Sequence, residues 1–270
     1  MMNHKCDITI WGVRGSMPNP SKNCMEYGGN TVCTTLQQDN TLIILDAGTG
    51  INAFGRFLVN RPNIHRIDIL LSHLHVDHIM GLFSFSPLFQ SNIEIHLYGV
   101  TGFTQYLKKL LRPPFWPLGI DDFPAKLYFH EISPEDTFTI NQFVISTIPG
   151  IHPGGSILYR LESSEKRLIY ALDCEIYEAN EKFFKSISDF IYRSDLLIWD
   201  ANFTQSDFRP GWGHSTWEQG INLGHQTHVR KILMTHYNWE YTDGFLKQQE
   251  SLSDQDAFCY FAKEGMKIEL

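Results

Sequence analysis

Apolar and polar positions alternate along the chain in short runs, and most runs end at a turn-forming residue. Asp7–Val13 alternates weakly, as a half-buried strand does, and Arg14-Gly15-Ser16 with two nearby prolines closes it. Thr31–Gln38 and Thr41–Leu45 flank the polar pair Asp39-Asn40, a spacing that predicts a hairpin with a tight turn. Ile51–Val59 reads as helical. Ile67–Leu71 is apolar except at Asp68, as expected of a strand covered on both faces. A short helical piece, a strand at Ile93–Tyr98 and a helix near Thr101–Leu111 follow.

The second half repeats the theme without repeating the letters. Strands are expected at Phe143–Ile148, Ile157–Glu162, Leu168–Leu172, Leu196–Trp199 and Lys231–Met234, and helices at Tyr177–Ile187 and Thr216–His225. The tail, Thr242–Ala262, reads as largely helical. Strands followed by helices in both halves predict an α/β protein with sheets inside and helices outside. No linker or low-complexity tract divides the chain, so residues 1–270 are expected to form one domain. One segment fits neither period. Arg112–Pro124 holds four prolines beside Phe115 and Trp116, which excludes a regular helix or a central strand. It is expected to be a surface loop able to cover a site, its aromatics more suited to pinning the loop than to stacking a ligand.

Composition narrows the function classes. Hydrophobic residues make up 43% of the 270 positions, enough for a sizeable core, and the net charge of −8 disfavours non-specific binding to long nucleic acid or anionic membranes. The five cysteines are irregularly spaced without a CxxC pair, and Met1–Ile10 lacks the apolar run of a signal peptide. No stretch approaches a membrane span, so a cytoplasmic protein is expected.

Ser72-His73-Leu74-His75-Val76-Asp77-His78 stands at the end of the apolar strand. In extended backbone, residues i and i+2 share a face, so His73 and His75 can grip one metal together. The turn that follows can bring Asp77 and His78 to a second metal. Imidazole and carboxylate suit zinc, manganese or iron.

The spacing His73-x-His75-x-Asp77-His78 resembles the HxHxDH signature of the metallo-β-lactamase superfamily, and other features agree in order. Leu45-Asp46-Ala47-Gly48 looks like the family's strand-end aspartate that braces the histidine loop. The resemblance implies that His152 is the third histidine of the first metal, Asp173 the bridging carboxylate and His236 the last ligand of the second metal. It implies a four-layer αββα sandwich with two mixed sheets. It also implies two divalent ions, zinc foremost, with manganese and iron as alternatives. Gly213-His214-Ser215-Thr216 resembles the GHST motif of the phosphodiesterase branch that includes ribonuclease Z. Asp200 sits where those enzymes carry an acid paired with this histidine. By that resemblance Asp77 orients the attacking hydroxide, and His214, held by Asp200, serves the leaving oxygen. The openings Trp11–Ser16 and Tyr27–Thr31 resemble a cyclic-nucleotide-phosphodiesterase-like subgroup.

Arg14, Asn30 and Ser215 are candidate substrate contacts, with an ion-paired arginine, a turn residue and a helix cap as their structural alternatives. The expected activity is metal-dependent hydrolysis of a small phosphodiester such as a cyclic nucleotide. The runner-up is a ribonuclease Z-like endonuclease acting on transfer-RNA precursors. Only residues 153 to 172 separate His152 from Asp173, and they read as a hairpin where ribonuclease Z-like enzymes commonly carry a basic RNA-gripping arm. A metal-binding or redox protein on the same fold is a third class. Members of the fold are often dimers, so a homodimer is a candidate assembly.

Overall fold

The Asp39-Asn40 pair turns the chain between β2 (Cys33–Gln38) and β3 (Thr41–Leu45), which pair antiparallel from Gln38↔Thr41 to Thr34↔Leu45. Asp39 takes a positive φ of 53°, a conformation that Asp tolerates better than most side chains. Our computed structural model describes residues 5–58, 61, 63–164, 166–176, 180–253 and 257–270.

This hairpin lies near the middle of a seven-stranded sheet. Its other members are β1 (Asp7–Gly12), β4 (Arg66–Leu70), β5 (Glu94–Val100), β6 (Lys126–Ile132) and β14 (Lys267–Glu269), in the order β14-β1-β2-β3-β4-β5-β6. The second sheet contains β7 (Thr137–Ile140), β8 (Phe143–Gly150), β9 (Ser156–Glu162), β10 (Arg167–Ala171), β11 (Leu196–Asp200), β12 (Ile232–Thr235) and β13 (Cys259–Phe261). Its order is β13-β12-β11-β10-β9-β8-β7. Both sheets are mixed: β3 to β6 run parallel, as do β10 to β13, and the remaining pairs are antiparallel.

Burial explains the uninterrupted apolar runs. All five residues of β3 are buried because both of its faces are covered. Ile43 and Leu45 join Ile145, Tyr159 and Leu161 in the core between the sheets. Leu42 and Ile44 face the other way, into a second core with Phe54 of α1 (Ile51–Leu58) and Phe103 of α3 (Phe103–Leu110). On the second sheet, α4 (Glu181–Ile191) and α5 (Trp217–Gln226) bury Ile187, Phe190, Ile221 and Leu223 against the face turned away from the first sheet. The architecture is therefore helix, sheet, sheet, helix.

The structure corrects the tail. Its helix, α6, covers only Asp243–Ser253, and the chain then adds one strand to an edge of each sheet: β13 beside β12 and β14 beside β1. Strands of three residues carry too little periodicity to announce themselves, and the neighbouring strand supplies the hydrogen bonds that define them. α4 runs to Ile191 and starts at the Asn180 cap, whose Oδ1 accepts from Phe183 N at 3.2 Å. The residues expected to bound two helices, Val59 and Tyr177, lie outside the described residues. The Arg112–Pro124 segment is irregular apart from one short 3₁₀ turn. Trp116 stacks on Phe83 at 5.0 Å and pins the loop, whereas Phe115 is 71% exposed and pins nothing. Among the described residues no helix is long and apolar enough to cross a membrane.

Candidate metal centre

Ligand-bearing loops gather at one rim, where parallel strands of both sheets end. Asp46 follows β3, His73 follows β4, Asp173 follows β10, Asp200 closes β11 and His236 follows β12. Asp46, Asp173 and His236 have φ of 57°, 52° and 60°. Left-handed backbone is uncommon outside glycine, although Asp and His adopt it more readily than most side chains; three such residues turned into one place mark a site. His75 precedes the short helix α2 (Val76–Ile79), whose first turn presents Asp77 and His78 inward, both buried.

Two main groups of donors form around Asp173, and a third, Asp173 with His214 and His236, overlaps them. His73, His75, His152 and Asp173 make one, and Asp77, His78 and His236 the other, each with its ligand atoms within 4.8 Å of one another. Asp173 joins them. Its Oδ1 lies 3.5 Å from His152 Nε2 and 3.9 Å from His73 Nε2, while its Oδ2 lies 3.0 Å from His78 Nε2 and 3.2 Å from His236 Nε2. Each oxygen of one carboxylate thus serves a different set of imidazoles.

The donor set fits cations better than it fits itself. His78 Nε2 and His236 Nε2 stand 3.2 Å apart, and His152 Nε2 and His75 Nδ1 stand 3.0 Å apart. Two nitrogens each about 2.0–2.1 Å from a shared zinc-sized ion stand about 3 Å apart. His73 Nε2 and Asp173 Oδ2 are buried, and neither makes a properly aligned hydrogen bond. A buried polar atom left so is costly unless something of opposite charge meets it.

Outer partners set which ring nitrogen faces inward. His78 Nδ1 donates to Asp46 Oδ2 at 2.7 Å, and His152 Nδ1 donates to Gly213 O at 2.8 Å, leaving both Nε2 atoms as lone-pair donors. Asp46 also accepts from Ser72 N, Ser72 Oγ and the Tyr170 hydroxyl, so it ties the histidine loop to both sheets. Ser16 N donates to Asp77 Oδ2 at 2.7 Å. Gly15 lies so close to His236 that a Cβ would stand 2.5 Å from the ring, which explains the glycine.

Electrostatics divides the imidazoles. Burial lowers the pKa of His73, His75 and His152, which keeps them neutral and ligand-competent. Burial also disfavours charge on His78 and His236, but nearby carboxylates outweigh it. Asp77 and Asp173 lead in raising His78 well above the usual histidine value, and Asp173 leads in raising His236 to about 10. The same negative potential would favour a metal cation in the proton's place.

Beside this centre lies a second pair. His214 Nδ1 is 3.0 Å from Asp200 Oδ2, and both residues are buried. Burial opposes charge on His214, but Asp200 outweighs it and raises the pKa. The loop before His214 is held by Glu175, which is 1% exposed and accepts from Gly211 N and Gly213 N at 2.9 and 2.8 Å. A Cβ on Gly213 would stand 2.3 Å from His152 Nδ1, and its φ is +81°, so only glycine fits there.

A sequence profile described as "Beta-lactamase superfamily domain" matches residues 41–237. The chain belongs to the beta-lactamase superfamily. A ribonuclease Z of Thermoplasma acidophilum is 24% identical, the alignment covering 97% of this chain and 96% of the relative. Among solved structures, the metallo-β-lactamase-fold protein YhfI of Bacillus subtilis superposes with a TM-score of 0.74 at 18% identity, covering 99% of this chain and all of that one. A diphosphatase of the PhnP family gives 0.70 at 20% identity, with 98% and 97% covered. Yeast PDE1 gives 0.65 at 18%, with 99% and 100% covered. The chain is thus a metallo-β-lactamase-fold hydrolase, and the family together with the two clusters implies divalent metal ions.

Within this superfamily frame, the structure gathers His73, His75, Asp77, His78, His152, Asp173 and His236 into one centre, with His214 and Asp200 beside it. The three candidate substrate contacts turn inward instead. Arg14 is fully buried, with Nε donating to Gly28 O at 2.7 Å and Nη1 to Tyr241 O at 2.5 Å. Asn30 donates through its backbone N and its Nδ2 to Glu264. Ser215 is fully buried and donates to Cys174 O at 2.5 Å. All three brace loops behind the metal rim, and the helix cap is Thr216, in a capping box with Gln219. Glu175, Gly15 and the Ser16 amide escaped the sequence reading. Only the unusual Trp-Gly-x-Arg-Gly-Ser string hinted at the last two.

Proposed function

We propose that the protein is a two-metal phosphodiesterase acting on a small phosphodiester such as a cyclic nucleotide. The observation that carries this is the His214–Asp200 pair set against the bridged His/Asp centre. Divalent ions held there, zinc foremost with manganese and iron as alternatives, would polarise the phosphodiester and activate water. Asp77, steadied by the Ser16 amide, orients the attacking water. Asp200 occupies His214 Nδ1, so Nε2 is the atom that delivers a proton to the leaving oxygen. The five free cysteines suit a reducing compartment such as the cytoplasm.

A ribonuclease Z-like activity is the second reading, favoured by the curated relatives of that name. Two features weigh against it. Between His152 and Asp173 the described residues form the β9–β10 hairpin and no projecting arm, and a net charge of −8 offers little to neutralise RNA phosphates. The test is hydrolysis of 3′,5′-cyclic AMP by protein loaded separately with zinc and with manganese, with Asp77→Ala as control. Turnover lost in the variant supports the first reading. Inactivity on cyclic AMP together with cleavage of a transfer-RNA precursor establishes the second.

A further inference from the structure

A cavity of about 620 Å³ opens beside the metal centre, with His73 and His75 on its wall. That volume suits a ligand of nucleotide size. The Arg112–Pro124 loop is absent from its lining, so the exposed Phe115 does not serve it. The wall comes instead from α3 and the turn after β8. On α3, Phe103 and Leu107 point into the core, while Tyr106 and Lys109 line the cavity. Tyr106 is 51% exposed, unusual for a large aromatic beside a buried ligand set, and Lys109 Nζ stands 5.4 Å from its ring centroid. No carboxylate pairs with Lys109 among the described residues. Gly154 and Gly155, also in the lining, have positive φ, and a Cβ on either would meet nothing within 4 Å, so the peptide plane there is bare.

We propose that this cavity is the nucleoside subsite of the enzyme: the Tyr106 ring stacks on a nucleobase, and the Lys109 ammonium attracts the phosphate charge. An aromatic ring reads a flat apolar face, an ammonium reads negative charge, and a nucleotide carries both. Donors of the metal centre share the cavity, so a phosphate can reach them while the base remains against α3. Simple alkyl phosphodiesters lack the group that Tyr106 recognises. The proposal rests on the phosphodiesterase reading above, and binding tests it without turnover.

Calorimetric titration of the metal-loaded protein with AMP, adenosine and ribose 5-phosphate separates the two side chains. Tyr106→Ala is expected to weaken AMP and adenosine on the order of 10- to 100-fold and to leave ribose 5-phosphate unchanged. Tyr106→Phe retains the ring and should retain the affinity. Lys109→Ala is expected to weaken AMP and ribose 5-phosphate about 2- to 5-fold while sparing adenosine. Equal AMP affinity in wild type and Tyr106→Ala overturns the proposal, as does an equal loss for ribose 5-phosphate, or no AMP binding at millimolar concentration. Protein that binds AMP through Tyr106 but cleaves no diester keeps the subsite and loses the phosphodiesterase reading. Cleavage of cyclic AMP unaffected by Tyr106→Ala, with unchanged AMP binding, does the reverse.

Discussion

Two polar clusters, each with a buried centre, lie on either side of the loop at residues 13–16, and they are built on opposite principles. Behind the loop, Arg14, Asn30 and Glu264 tie backbone to backbone: Arg14 meets the carbonyls of Gly28 and Tyr241, and Glu264 accepts from both nitrogens of Asn30. Apart from Arg14 Nη2, these donors find partners inside the fold. In front of the loop, ring nitrogens face each other at 3.0 and 3.2 Å, and a buried carboxylate oxygen has five imidazoles converging on its group without an aligned hydrogen bond. Charge and a buried centre are common to both clusters. What marks the functional one is convergence without internal satisfaction, because only an added cation completes it.

The sharpest way to break this contrast is to remove a donor from the open cluster. Asp77→Ala should reduce hydrolysis to background and lower the bound metal read by elemental analysis. Full metal content and full activity in that variant would sink the assignment of the centre. Next in size, His214→Ala should cost about 10²–10⁴-fold in kcat at unchanged metal content. If metal is lost with His214, the residue is a ligand and the pair with Asp200 is not an acid device.

The closed cluster should respond in the other currency. Arg14→Met removes charge-assisted hydrogen bonds and is expected to cost about 2–3 kcal/mol of stability in denaturant melting, with bound metal unchanged. Loss of metal at unchanged stability would place Arg14 with the site after all. The smallest effect tests the seam between loop and centre. Glu175→Gln puts an amide against the Gly211 and Gly213 N–H groups, so the carbonyl that holds His152 should shift. Metal affinity is expected to fall about 10- to 100-fold. An unchanged metal titration would confine Glu175 to loop stability.

Legibility followed the range of the interaction. The hairpin at Asp39-Asn40 and the largely apolar strand before His73 were readable because their signals are local: a two-residue turn and a short apolar run. β13 and β14 were not readable, since three residues become a strand only when β12 and β1 offer hydrogen bonds. For Arg14, Asn30 and Ser215 the sequence left a substrate contact and a structural role side by side, for a related reason. A polar residue near a motif looks the same in sequence whether it faces a ligand or a backbone carbonyl from a distant segment, such as Tyr241 for Arg14.

By itself the sequence determined the kinds of metal donor and their order, because His73-x-His75-x-Asp77-His78 is contiguous and its family spacing is specific. It also determined that helices would flank sheets, through the two periods of its apolar residues. The tertiary structure alone decided that one carboxylate, Asp173, reaches both imidazole sets, that Gly213 presents its carbonyl to His152, and that Tyr106 and Lys109 stand over the same cavity as His73 and His75. Those relations join residues far apart along the chain, and no local period encodes a distance that arises only when two sheets close on each other.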